Sequence, residues 1–262
     1  MSASSLLLVA DVAAFGLVAA AVVRRHVQSR ASLAASASSR RVEALFFDCD
    51  DCLYQNEWAT AKKITNSIAA YTTKIGVSKE QAYALYKTHG TCLKGLLVEG
   101  RIDAAGAEAY LKEVHDISYE DIAPDPTLRA ILQRIAKPRD NTWIFTASTE
   151  EHAKRCLGRL GIADLPLWRG VIDCRSCKLE TKHSRSSFEA AMALANVTDP
   201  TACVFLDDSV KNIVAAKAVG WRTVLVGKTD RDTGKPIVCD AADAHVGSLH
   251  ELEAAMPELF VP

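Results

Sequence analysis

"FFDCDDCLY", residues 46–54, closes a short apolar run with acids and thiols, and its reading decides the fold. Two pairings compete within it. Cys49 and Cys52 form a C-x-x-C, a spacing that suits a metal or a redox pair, whereas Asp48, Asp50 and Asp51 point to carboxylate chemistry. An apolar run that stops at acids is the pattern of a buried parallel strand. Alternation along an extended chain puts Asp48 and Asp50 on one side and Cys49 on the other. The second C-x-x-C, Cys174–Cys177, lies far from zinc-ribbon spacing, and Cys49 belongs to the strand, so the carboxylates are the working pair.

Other stretches repeat the form. "TWIFTAS" (142–148), "CVFLDDS" (203–209) and "TVLVG" (223–227) are short apolar runs, the first two ending in polar residues, and "DAHVGSL" (243–249) suggests a last edge strand. Amphipathic stretches lie between them at 150–161, 186–196 and 210–220; the first and last end at Gly161 and Gly220, residues suited to helix C-caps. Strands alternating with such helices predict an α/β fold, a parallel sheet with helices on both faces. Residues 57–137 break the alternation with helical patterns at 57–76, 79–90 and 104–116, which predicts an all-helical block inserted after the first strand. "APDPTLRAILQRI" (123–135) leads back to the sheet through two prolines.

The composition narrows the class. The chain has 262 residues, a formal net charge of −1 and 49% hydrophobic residues, enough for a sizeable core and without general attraction to nucleic acid. Eight cysteines are too sparse for a disulfide scaffold, and reduced thiols are expected. Residues 1–41 stand apart. Leu6 to Val23 is an 18-residue apolar run broken by Asp11 and Gly16 and followed by Arg24 and Arg25, close to the ~20 residues that span a bilayer. The basic residues follow the run, the reverse of a secretory signal, and an anchor of this kind keeps the next domain on the cytoplasmic side. Five Arg, eight Ser and one acid equally suit an organelle transit segment. Membrane association through residues 6–23 and organelle targeting both stay open, beside a leader with no ordered role.

In open α/β sheets ligands bind beyond the carboxyl ends of the strands. Asp48 and Asp50, Thr146 and Ser148, and Asp207 and Asp208 collect there, with Lys182 just before the 186–196 helix; Lys178 competes for that place but is less well spaced. Several carboxylates gathered at one edge call for a shared cation, and oxygen ligation suits magnesium beside a substrate phosphate. The simpler reading of Thr146 is a helix N-cap, a role that Ser148 and Thr149 also fit. His89, Asp103 and His115 lie in the helical block and could either shape substrate choice or serve as ordinary polar groups.

These residues carry a resemblance. "DCDDCL" (48–53) fits the D-x-D-x-[T/V]-L first motif of the haloacid dehalogenase superfamily, "IFTAS" (144–148) resembles its second, Lys182 its third and "FLDDSVKNI" (205–213) its acidic fourth. "THGTCLKGL" (88–96), "VHDISYEDIAPDPTLRAIL" (114–132) and "FTASTEEHAKRCLGRLGI" (145–162) are similar to long patterns of its pyrimidine 5′-nucleotidase-like branch. The resemblance implies a Rossmann-like core over 42–56 and 138–262 with a helical cap over 57–137. It implies Asp48 as nucleophile, Asp50 as general acid and base, and Thr146, Ala147 and Lys182 against the phosphoryl group. Mg2+ would be bound by Asp48, the Asp50 carbonyl and Asp208, with Asp207 close by and Asn212 behind. The implied activity is hydrolysis of a phosphomonoester through an aspartyl-phosphate, on a small phosphorylated metabolite such as a pyrimidine nucleoside 5′-monophosphate. A phosphomutase of the same fold and a non-catalytic phosphate-binding protein are the alternatives. Three positions depart from the pattern: Asp51 where Asn is common, Cys52 where Thr or Val is usual, and His183 where Pro is usual.

Overall fold

Ala44–Phe47, whose last two residues open the quoted stretch, form β1, and every one of them is fully buried. The computed structural model describes residues 41–138, 140–231 and 233–260; the leader run at 6–23 lies outside them. Five more strands join β1: β2 (Thr142–Phe145), β3 (Trp168–Ile172), β4 (Cys203–Asp207), β5 (Arg222–Val226) and β6 (Ala244–Val246). Every pairing is parallel and the order is β3-β2-β1-β4-β5-β6. β1 is central because both faces of "ALFF" are apolar: Leu45 and Phe47 pack on one side with Val204 and Leu206, Ala44 and Phe46 on the other with Phe205 and Trp221. Trp221 stacks on Phe46 at 4.5 Å between ring centroids.

β3 was not legible as a strand. Arg169 and Gly170 interrupt its apolar run and it sits at the sheet edge, where one side needs no buried face. The "DAHVGSL" stretch does supply the opposite edge, as β6.

Helices cross between the strands. In chain order, α1 (Ala59–Lys74), α2 (Lys79–His89), α3 (Cys92–Val98) and α4 (Ala104–Val114) follow β1; α5 (Pro126–Gln133) precedes β2; α6 (Glu150–Leu160), α7 (Arg185–Leu194) and α8 (Val210–Val219) are crossovers; and α9 (Leu252–Ala255) follows β6. Among the described residues no helix is long and apolar enough to cross a membrane. α6 shows why a helix begins here: Thr149 caps it by accepting from His152 N–H, Glu150 and Glu151 sit in its first turn, and Gly161 at φ 71° ends it.

The first four helices carry their own core, in which Tyr71, Leu85, Leu96, Tyr110 and Val114 meet. Tyr119, Ile122, Leu128 and Leu132, further along, pack instead with the sheet residues Leu45 and Phe47. The connection from Asp116 onward and α5 are thus seated on the sheet. Ion pairs tie the helical block to the loop after β3: Arg175 holds Glu108 of α4 at 2.9 Å, and Lys94 of α3 holds Glu180 at 2.5 Å.

Candidate active site

The strand order reverses between β1 and β4, the point at which an open parallel sheet leaves a crevice beyond its strand ends. Asp48 follows β1 and Asp207 ends β4, with the Asp48 N–H bonded to the Leu206 carbonyl at 2.9 Å. Lys182 arrives from the loop after β3 and is itself buried, whereas Lys178, its competitor in sequence, is exposed. The Lys182 ammonium lies 2.5 Å from Asp48 Oδ1, 2.7 Å from Asp207 Oδ2 and 3.2 Å from the Phe145 carbonyl, so all three of its donors are used. Its two carboxylates hold Lys182 well above the ordinary lysine range despite burial.

Asp48, Asp207 and Asp208 bring carboxylate oxygens within 4.8 Å of one another. Burial pushes Asp48 up to about 8 against the pull of Lys182, and burial with Asp207 and Asp48 raises Asp208 well above its usual range. Three crowded acids facing one lysine form a site short of positive charge, so a divalent cation fits it. The fit is uneven. Asp207 is saturated: Oδ1 accepts from Ser209 N–H at 2.8 Å and Asn212 Nδ2 at 3.0 Å, and Oδ2 from Lys182. Asp48 and Asp208 are the carboxylates with oxygens to spare, and Asn212 donates to Asp207 from behind.

Asp50 is placed differently. Its Oδ1 accepts from the Tyr54 hydroxyl at 2.5 Å and lies 2.8 Å from His152 Nε2, while Ser148 Oγ donates to Oδ2 at 3.3 Å. Burial opposes ionisation of Asp50, but His152 and Tyr54 together hold it well below the usual carboxylate range. His152 and Tyr54 escaped the sequence reading as working residues. The signal was present, because His152 lies inside the quoted "FTASTEEHAKRCLGRLGI" run.

Thr146 is buried beside the same crevice, and Ala147 is exposed on its wall. Thr146 Oγ1 accepts from the Ser148 N–H at 3.0 Å, and the cap of α6 is Thr149, so the N-cap role falls to Thr149. Asp103 is a cap as well, accepting from Gly106 N–H at 2.8 Å. His115 lines the crevice, and burial and the neighbouring His152 push it down to about 4.

The three departures find physical accounts. Asp51 sits at φ 57°, a left-handed conformation that Asp and Asn tolerate better than most residues. It faces the crevice, buried, with Arg231 at 4.0 Å, and burial and Asp50 raise it to about 7. Cys52 keeps a weak version of the missing hydroxyl bond, its thiol donating to the Leu206 carbonyl at 3.5 Å. His183 packs under Gly90 of the helical block: a Cβ there would lie 2.6 Å from His183 Nδ1.

Residues 42–220 match the family model of haloacid dehalogenase-like hydrolases. The chain belongs to that family. Among curated proteins, this hydrolase-family chain is similar to phosphate metabolism protein 8 of Saccharomyces cerevisiae, 28% identical over 203 residues that take in 70% of this chain and 61% of that protein. The chain therefore spans under two thirds of that relative's length. Solved structures of similar fold include CbbY of Rhodobacter sphaeroides in complex with phosphate, with a TM-score of 0.60, 18% identity, and coverage of 84% of this chain and 100% of that one. The β-phosphoglucomutase of Clostridium difficile follows at 0.55, 20% identity, and 83% and 97% coverage. The L-2-haloacid dehalogenase of Xanthobacter autotrophicus stands at 0.51, 14% identity, and 81% and 97% coverage. At these identities the likeness is one of fold.

Proposed function

We propose that this hydrolase cleaves phosphomonoesters, with Asp48 as nucleophile and Asp50 as general acid and base. The observation that carries the reading is the pair of carboxylates two positions apart beyond β1, the first held by buried Lys182 at 2.5 Å. An Asp48 oxygen attacks phosphorus, the bond to the leaving oxygen breaks, and the proton that Asp50 shares with His152 passes through Asp50 to that oxygen. Water then attacks the aspartyl-phosphate and passes a proton to Asp50, phosphate departs, and Asp48 is restored. Lys182 and Thr146 face the charge that gathers on the phosphoryl oxygens, where fixed charge in a sheltered site counts most. Mg2+ held by Asp48 and Asp208 would add positive charge against those oxygens.

Asp50 supports phosphate over halide chemistry, because a departing halide needs no proton whereas an alkoxide does. For the substrate, the resemblance to the pyrimidine 5′-nucleotidase-like branch favours a nucleoside 5′-monophosphate. The crevice of about 1480 Å³ is roomy enough, and Trp58, Tyr83 and Tyr86 on its wall offer faces on which a base can stack. A phosphomutase would use the same two aspartates with a sugar hydroxyl in place of water.

The test is a panel of phosphomonoesters, with and without Mg2+, combined with acid trapping of labelled phosphate on the protein. Turnover with label on Asp48, absent from Asp48→Asn, is expected. Undiminished hydrolysis by Asp48→Asn would refute the mechanism, and label moving to a second sugar position would mark a mutase.

A further inference from the structure

Asp50 has two thiol neighbours that the reaction does not use. β1 ends at Phe47 and the chain turns at Asp50, so Cys49 and Asp50 do not point apart as alternation predicts: with Cys156 they bring two sulfurs and a carboxylate oxygen within 4.8 Å of one another. His152, one turn before Cys156 on α6 and on the same face, adds a ring nitrogen 3.5 Å from the Cys156 sulfur and 2.8 Å from Asp50 Oδ1. Two thiols and a carboxylate, with an imidazole against two of the three, are zinc ligands in type, whereas magnesium takes oxygen donors only.

The hydrogen bonds around the histidine point the same way. The Tyr119 hydroxyl lies 2.9 Å from His152 Nδ1 and 3.1 Å from the His115 carbonyl. Nε2 is the nitrogen turned toward the carboxylate, 2.8 Å from Asp50 Oδ1. A metal-bound histidine usually donates its other N–H to an oxygen. The Tyr54 hydroxyl at 2.5 Å fixes the carboxylate in turn. Asp50 also gives the group an entrance: its side chain is 24% exposed and lines the crevice, while His152 behind it is fully buried.

We propose that Cys49, Asp50, His152 and Cys156 form a second metal site, selective for zinc over magnesium, and that zinc bound there silences hydrolysis by taking Asp50 as a ligand. The thiol protons, and any proton between His152 and Asp50, leave to solvent as the ion enters, so binding tightens as pH rises. The silencing rests on the reading of Asp50 as acid and base; the binding does not.

The experiment uses the full chain, stripped with chelator and returned to saturating Mg2+. Zinc binding is measured by equilibrium dialysis with atomic absorption, and cobalt in place of zinc is read for thiolate-to-cobalt charge-transfer absorption. One zinc that Mg2+ does not displace, with the charge-transfer band, is expected. Cys156→Ala should lose the band, keep Mg2+-dependent hydrolysis, and need about tenfold or more additional zinc for inhibition; Cys239→Ala should behave as the parent. No band in the parent overturns the site without reference to any variant or to activity. A band that survives Cys156→Ala places the thiolates elsewhere and overturns it too, as does equal zinc inhibition of parent and Cys156→Ala. Stoichiometric zinc binding with full hydrolysis overturns the silencing.

Discussion

Lys182→Met removes a charge while keeping the volume of the side chain, which isolates what that charge does. In the parent, the ammonium is buried between Asp48 at 2.5 Å and Asp207 at 2.7 Å. Taking one partner from a buried, hydrogen-bonded charge cluster costs roughly 3–5 kcal/mol. The carboxylates can escape part of that cost by taking up a proton, so about 3 kcal/mol is expected in chelator at pH 8. For a chain of this size that is a fall in melting temperature of about 6–12 °C. The dependence on pH follows from Asp48, which burial already raises to about 8 with Lys182 opposing. Without Lys182 it rises further. A folded-state pKa above the unfolded value means that the native chain binds more protons between the two, so its stability falls as pH rises through that window. The loss caused by Lys182→Met should therefore be larger at pH 8 than at pH 5. Urea unfolding of both proteins at the two pH values, in chelator, measures it. A loss below about 0.5 kcal/mol at pH 8, or one that grows toward acid, would refute the charge balance drawn here. Turnover should fall by about 10²-fold or more at either pH, because the positive charge facing the phosphoryl oxygens is gone.

Three further outcomes are expected. Asp50→Asn should slow the making and the breaking of the aspartyl-phosphate by about 10²-fold, seen as a parallel loss in burst and steady-state rates. Cys52→Thr should leave turnover unchanged or modestly raised in a steady-state assay, since the thiol already reaches the Leu206 carbonyl and a hydroxyl makes the stronger bond. Gly90→Ala should raise KM for phosphomonoesters and lower thermal stability by about 1 kcal/mol or more, because the site has φ 86° and a methyl group would strike His183 next to Lys182.

The runs that the sequence made legible were those with a strong local signal. β1, β2, β4 and β5 are short, apolar and bounded by polar residues, and Gly161 and Gly220 end their helices in the left-handed conformation expected of a C-cap. Asp48, Asp207 and Asp208 were legible because each sits at a strand end, where the topology brings residues together whatever the loops do, and Lys182 was legible from its place just before the 186–196 helix. β3 was hidden because an edge strand can carry Arg169 and Gly170 without loss. α3 was hidden because Cys92–Val98 is too short to show a period, and its cap, Thr91 accepting from Lys94 N–H, is a single contact. His152 was hidden for a deeper reason. On α6 it lies on the buried face with Ala153, Cys156 and Leu157, where a histidine reads as core, and only its distance to Asp50 reveals that it faces the crevice residue.

The same parallel sheet carries a dehalogenase, a phosphomutase and a phosphate complex among its likenesses, so the sheet cannot choose the chemistry. What chooses it is how a few side chains beyond the strands are held. Asp48 and Asp50 are two positions apart yet live in opposite surroundings: Asp48 is pressed against a lysine among other acids, and Asp50 is surrounded by Tyr54, Ser148 and His152. Two carboxylates held by different partners, one by a lysine and one by a histidine and a tyrosine, are suited to two roles, one to attack and one to move protons. A nucleophile that attacked only carbon bearing a halide would need the first environment alone. Holding a second carboxylate with three polar partners at a half-buried position is costly unless its position matters, and in the proposed reaction that position is the one from which a leaving oxygen receives its proton.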